Sequence, residues 1–209
     1  MKKVMLSVCG LVIFYAASAQ ISVGVNGNYT MYKQDFQKST PGAGVRVYFN
    51  ATERVAAVGS FTYGFPIKMP SSVLLSGGTG GSSVASEMVF KFKAINVMAN
   101  YSFIGDDETA GKFYGIVGAG LVFVNYKENI TGTYDKTVYT PADLQEGSEN
   151  GFTLNFGLGG EYKIGTPALF GEVALALPAN KVGNSYVTNY IPSHFLFNVG
   201  VKFTLGENE

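Results

Sequence analysis

Four charged residues stand where the sequence otherwise places small uncharged ones: Arg46, Glu161, Glu172 and Lys202. Each lies on the polar side of a stretch in which polar and apolar residues alternate. Two cations and two anions so placed have two chemical uses. In a narrow interior they pair and close it, because an unpaired buried charge is strongly unfavourable. In a hydrated passage they form a selectivity site or gate. Two further candidates are His194, the single histidine, which stands beside Ser193, and the acidic run 105–111, GDDETAG. A histidine and a hydroxyl are raw material for acyl transfer. The acidic run lacks the ligand spacing of an EF-hand loop and reads as a solvated turn, not a calcium site. With no phosphate-binding glycine loop and no metal-ligand cluster, no cofactor is expected.

The elements that must hold these residues are strands. In 195–205 (FLFNVGVKFTL), Phe195, Phe197, Val199, Val201, Phe203 and Leu205 fall on one face, and Asn198, Gly200, Lys202 and Thr204 on the other. A period of two is the mark of a strand with one apolar face. Seven earlier stretches repeat it. In 21–31, Ile21, Val23, Val25, Tyr29 and Met31 oppose serine, glycine, asparagine and threonine. In 42–49, Val45, Val47 and Phe49 oppose Gly44, Arg46 and Tyr48, and in 55–65, Phe61, Tyr63 and Phe65 oppose Ser60 and Thr62. The fourth stretch ends clearly, with Ile95, Val97, Tyr101 and Phe103 against Asn96, Met98 and Asn100. At its start, the same phase turns Lys91 and Lys93 outward, unless a bulge intervenes. The fifth, 112–126, is apolar on both faces; Phe113, Val117, Ala119, Leu121 and Phe123 are taken as outward, leaving Gly118 and Gly120 inside. In 151–164, Phe152, Leu154, Phe156, Leu158 and Tyr162 oppose Thr153, Asn155, Gly157, Gly159 and Glu161; in 169–177, Val173, Leu175 and Leu177 oppose Phe170, Glu172 and Ala174.

Short turns at 50–53, 105–111 and 165–167 alternate with longer connections at 32–40, 66–87, 127–150 and 178–194. The second of these contains SSVLLSGGTGGSS, small residues with few charges, and is expected to be a mobile loop. The pattern is that of an all-β, eight-stranded antiparallel up-and-down barrel.

Which face is outside follows from volume and charge. The polar faces are built of small side chains that fit a narrow eight-strand interior, whereas the phenylalanine, tyrosine and leucine of the apolar faces would overfill it. A water-facing exterior carries many lysines and glutamates, and these strands carry few. A soluble barrel with its apolar face inward is therefore excluded, and the apolar face meets lipid. Aromatic residues agree: Phe49, Tyr101, Phe103, Phe113, Tyr162 and Phe203 fall by the short turns, and Tyr29, Tyr63, Phe65, Phe123, Phe152 and Phe195 by the long connections. Transmembrane barrels carry two such girdles, one at each interface. His194, at the end of a long connection, is then a solvated loop residue or a lipid headgroup contact, if it is not catalytic.

The first 19 residues read as a secretory signal peptide: Lys2 and Lys3, an apolar run, then Ala17-Ser18-Ala19 before Gln20. The run is too short for a transmembrane helix. Cleavage there would leave a 20–209 barrel domain, remove the single cysteine, and leave 13 of the 15 basic residues against 15 acidic ones, a net charge of −2. That excludes disulfides and thiol chemistry, and such a balance offers no basic stripe for nucleic acid.

The last strand resembles the C-terminal assembly signal of outer-membrane β-barrels, at Asn198, Gly200, Phe203 and Leu205. The chain as a whole resembles the small outer-membrane barrels that include the OmpA transmembrane domain, OmpX and OmpW. The resemblance implies insertion in the outer membrane of a Gram-negative-type bacterium by the barrel-assembly machinery, both termini periplasmic, lipid as the main partner, and a monomer. It implies no activity. Barrels of this size that act as lipid A deacylases or acyltransferases use a His-any-Ser pattern, and Leu196 stands where that serine would be, so the chain is not expected to be an enzyme. Two roles fit: a structural or surface-interaction barrel whose narrow lumen is closed by the salt-bridge cluster, or an OmpW-like conduit for small apolar molecules, suggested by inward Met98, Val122 and Val124.

Overall fold

The computed structural model describes residues 20–32, 38–77, 82–106, 109–179 and 193–205. The expected signal peptide and most of the connection 178–194 lie outside them. Among the described residues ten strands follow in order: β1 (Gln20–Tyr32), β2 (Ser39–Asn50), β3 (Val55–Gly64), β4 (Ile67–Ser76), β5 (Ser82–Ile104), β6 (Gly111–Ile130), β7 (Thr140–Pro141), β8 (Glu146–Lys163), β9 (Pro167–Pro178) and β10 (His194–Leu205). Eight of them close into an antiparallel ring, β1-β2-β3-β5-β6-β8-β9-β10, with β10 pairing back onto β1 from Ile21↔Leu205 to Tyr32↔His194. The protein is an eight-stranded transmembrane β-barrel.

The alternation decides which side chains point where. Tyr29, Met31, Phe61, Val97, Phe113, Leu121, Leu158 and Val199 are all exposed on the outer face, while their neighbours Asn28, Thr30, Ser60, Asn96, Tyr114, Gly120, Gly159 and Asn198 are buried inside. Gly118 and Gly120 face inward, as the chosen phase of 112–126 requires. Closure gives each strand of the ring a paired neighbour on both sides, the condition for crossing lipid. Of the aromatics read as girdles, Phe49, Tyr101, Phe103, Phe113, Tyr162 and Phe203 are exposed by the short turns, and Tyr29, Phe65 and Phe152 at the other end, while Tyr63, Phe123 and Phe195 are half-buried.

The ring is uneven in height. A membrane crossing takes about 9–11 residues of tilted strand. β1, β2, β3, β9 and β10 have 10 to 13 residues, but β5 has 23, β6 has 20 and β8 has 18. The surplus rises above one rim as a sheet, with β4 paired along β5 from Ile67↔Phe90 to Leu75↔Ser82, and β7 paired to the end of β4. This corrects the expectation of a loop at 66–87. Ile67, Met69, Val73 and Leu75 alternate within the serine-rich stretch, and that is enough for a strand with one buried face. Val73, Leu75 and Val84 form an apolar cluster against Ile130, Tyr134 and Tyr139. The connection read at 127–150 is likewise shorter, since β6 and β8 run into it from both ends. β5 keeps one phase through Lys91 and Lys93, both exposed and outward. The irregularity in its register falls instead between Ser102 and Ile104, beside the short acidic turn.

Inside the sheet above the rim, Glu128 ties β6 to the segment that follows. Its carboxylate accepts from Ser86 Oγ at 2.7 Å and from the Gln145 N–H at 3.4 Å, while the Glu128 N–H donates to Gln145 O at 2.8 Å. Burial acts to raise its pKa, but hydrogen bonds from Ser86, Ser71 and Gln145 outweigh that and hold it below the ordinary value. The acidic turn is held by its own residues: the Thr109 N–H donates to Asp106 Oδ1 at 3.1 Å, and the Asp106 N–H to Thr109 Oγ1 at 2.9 Å.

Candidate functional site: the ion-paired lumen

All four charges singled out in the sequence point into the barrel and are buried: Arg46 on β2, Glu161 on β8, Glu172 on β9 and Lys202 on β10. They form two pairs. Arg46 Nη1 donates to Glu172 Oε2 at 2.5 Å, and Lys202 Nζ to Glu161 Oε2 at 2.6 Å. The expectation that the four reach one another as a single cluster is met only indirectly. The guanidinium of Arg46 lies 5.1 Å from the centre of the Phe170 ring, and the ammonium of Lys202 lies 5.3 Å from that of Tyr48. Those two rings meet edge to face at 6.3 Å. Two aromatic faces, each carrying a cation, thus join the pairs.

Three residues of the site were not singled out in the sequence. Tyr114, on β6, donates from its hydroxyl to Glu172 Oε1 at 3.0 Å, so both carboxylate oxygens are engaged. Lys112 approaches Glu161 Oε1 at 3.7 Å from the start of β6 and adds a third cation. Tyr48 separates the pairs. Only its inward phase was legible; nothing about a tyrosine between Val47 and Phe49 marks it as part of a charged site.

Small residues make the reach possible. Between Arg46 and Glu172 stand two strands, β1 and β10, and their inward residues at this level are Gly24 and Gly200, with Gly24 directly opposite both Arg46 and Lys202. A Cβ on Gly200 would lie 2.6 Å from Phe170 Cζ. On β8, a Cβ on Gly159 would lie 2.5 Å from Tyr114 Cε2 and 2.8 Å from Glu172 Cγ. Asn198, from the last strand, is fully buried and donates to Glu172 Oε2 over a long 3.5 Å. Of the other residues of the assembly signal, Gly200 faces inward, while Phe203 and Leu205 are exposed on the outer face.

Towards the other rim the lumen meets an apolar cluster that continues into the sheet above it. Tyr32, Ile67, Met88, Phe90, Phe92, Val122 and Val124 pack together, with Val124 wholly buried. His194 belongs here. It is not a solvated loop residue: it opens β10 pointing inward, is buried, and its ring lies 5.3 Å from Tyr32, its partner across the β1–β10 ladder. Period two explains the miss, since His194 is in phase with Asn198 and Lys202 once the strand starts one residue earlier. Ser193, beside it, is only half-buried and precedes the strand. Between the apolar cluster and the ion pairs, a cavity of about 50 Å³ is lined by residues that include Thr30, Phe92, Asn96, Glu172 and His194. A second, of about 20 Å³, lies beyond the ion pairs, against Tyr48, Lys112, Glu161 and Lys202.

No family model matches the sequence, and no curated protein matches it. Solved structures do. A major outer membrane protein from Thermus thermophilus aligns with a TM-score of 0.60 at 12% identity, over 90% of this chain and 99% of that one. The chain has the fold of the small outer-membrane β-barrels. Neisserial surface protein A is similar to it as well, with a TM-score of 0.53 at 15% identity, over 88% of this chain and 96% of that one. At these identities the likeness is one of fold. This barrel holds two buried ion pairs, and a sheet continues three of its strands.

Proposed function

We propose that the protein is a sealed barrel of the outer membrane of a Gram-negative-type bacterium, monomeric and non-enzymatic, whose work is done by the sheet above its rim. The chain matures at Gln20, both termini face the periplasm, and the tall ends of β5, β6 and β8 face outside. There they present a structured surface to envelope components or external partners. The observation that carries this reading is the filled lumen. A water needs about 10–15 Å³ of such space, so cavities of about 50 and 20 Å³ hold only a handful of waters. The ion pairs close one level and the apolar cluster the other. Of the residues that would line a conduit for small apolar molecules, Val124 is wholly buried in the apolar cluster, and Met98 and Val122 face only the cavity of about 50 Å³; this favours the sealed barrel.

Topology is tested by labelling. A single cysteine replaces Ser72, exposed on β4, or Glu53, exposed in the turn between β2 and β3. A membrane-impermeant maleimide added to intact cells is expected to label Ser72→Cys at once, and Glu53→Cys only after the envelope is permeabilised. The reverse order would place the sheet in the periplasm and overturn the proposal.

A further inference from the structure

β5 carries lysines at 91 and 93, two residues apart and hence on one face of the strand. It is the outer face, continuous with exposed Ile95 and Val97 below, which meet acyl chains. Lys93 stands directly between Tyr63 on β3 and Phe123 on β6, two aromatics of the girdle, so its ammonium is at the edge of the hydrocarbon. One pleat higher, Lys91 lies opposite Asn125, which lies opposite Ser148 on β8; beyond them Lys127 lies opposite Glu146. Twist of the sheet makes this patch concave. It bounds a groove of about 520 Å³ lined by Lys91, Asn125, Lys127, Asn129, Glu146 and Ser148.

The charges in and beside the groove are unequally satisfied; Lys91 lines it, and Lys93 stands one pleat below its lining on the same face. Lys127 pairs with Glu146 at 3.0 Å, and Lys68, on the neighbouring β4, pairs with Glu87 at 2.9 Å. Lys91 and Lys93 enter no ion pair among the described residues, although two like charges roughly 7 Å apart on one strand repel each other. An anion placed against them removes that repulsion. Asn125, Asn129 and Ser148 add amide and hydroxyl groups that suit a sugar. Position selects the source of the anion: a lipid whose chains lie against Ile95 and Val97 carries its headgroup straight into the groove.

We infer that this groove binds the phosphorylated saccharide headgroup of an outer-leaflet lipid, with Lys91 and Lys93 on the phosphate and the asparagines and Ser148 on the sugar. The inference rests on the proposal that the tall strands face outside, but its test does not depend on orientation. The purified full-length mature protein, in detergent, is mixed with bisphosphorylated lipid A, with the same lipid dephosphorylated, or with phosphatidylcholine, and bound copies are counted by native mass spectrometry. The wild type is expected to retain the phosphorylated lipid about tenfold better than either of the others, since each lysine near such a surface contributes an attraction of that order. The double variant Lys91→Gln/Lys93→Gln loses the preference, and Lys68→Gln keeps it. Raising salt weakens retention by the wild type, a reading that needs no variant. Equal retention of the three lipids by the wild type, or an unchanged preference in a folded double variant, overturns the inference. Displacement of the lipid by millimolar inorganic phosphate also overturns it, by showing a site for free anions.

Discussion

Arg46 on β2 meets Glu172 on β9 across two intervening strands, at a level where those strands carry Gly24 and Gly200. The pair is a chord across the barrel rather than a contact between neighbours, so it fixes the cross-section as well as satisfying two charges. Its side chains are 4% and 1% exposed, and in such surroundings the value of the pair lies chiefly in what breaking it would cost.

Glu172→Gln is therefore expected to destabilise the folded barrel by about 3–5 kcal/mol, because it strands the Arg46 guanidinium and leaves one acceptor oxygen where Arg46 and Tyr114 now each have their own. Replacing the pair together, as Arg46→Met with Glu172→Leu, leaves no orphan charge and recovers most of the loss. Asp143→Asn, on an exposed segment, stays within about 0.5 kcal/mol of the wild type. Urea unfolding in detergent micelles measures all three; equal midpoints for Glu172→Gln and Asp143→Asn would show the pair to be energetically idle.

Gly159→Ala places a methyl group 2.5 Å from the Tyr114 ring. Overpacking of this kind costs about 1–3 kcal/mol, and it pushes the tyrosine hydroxyl away from Glu172. We expect Tyr114→Phe to lose less than Gly159→Ala, because it removes one hydrogen bond without moving the ring. The opposite ranking in the same unfolding assay would mean that space at Gly159 is not limiting.

Most of this site could be seen before folding was considered, because period two assigns every residue of a regular strand to a side. The inward set of the last strand already held Asn198, Gly200 and Lys202, and that of 169–177 held Phe170 and Glu172. What alternation cannot convey is which inward residues meet across the lumen, since that depends on register and on the small residues between them. Lys112 was lost because it lies one residue into β6, beside an acidic turn that invited a solvated reading. β4 was lost for a different reason. Two prolines, six serines and four glycines gave 66–87 the composition of a linker, and composition outvoted the alternation of Ile67, Met69, Val73 and Leu75, although pairing that stretch along β5 is what orders it.

The sheet above the rim has its own dependence on pH. The folded-state pKa of Glu128 is lowered, so its ionisation contributes stability that is fully present above the ordinary carboxylate value of 4.5 and is lost as pH falls through the folded value. Protection of the amides of residues 84–88 and 126–130, taken as the exchange rate relative to the intrinsic rate at each pH, is expected to fall on acidification below about 4.5. In Glu128→Gln the protection of these amides is expected to be weaker at neutral pH and nearly flat across that range. Identical pH profiles for the two proteins would remove Glu128 from the explanation.

The assembly signal separates from mere apolarity by a comparison on one face of one strand. Phe203 and Val199 are both exposed outward on β10. Phe203→Ala is expected to lower the amount of heat-modifiable, membrane-inserted protein, while Val199→Ala leaves it near the wild-type level. Equal levels in both variants would leave the resemblance of the last strand without consequence.

Ion conductance tests the sealed lumen most directly. Purified wild-type barrel is inserted into planar lipid bilayers, with insertion confirmed by resistance of the membrane-embedded strands to protease, and current is recorded at both polarities. We expect no discrete, reproducible conductance steps above the bare bilayer, because the ion-paired level at Arg46, Glu161, Glu172 and Lys202 and the apolar level at Phe92, Val122 and Val124 each interrupt the water path. Stable unitary steps from the wild-type protein would contradict the account.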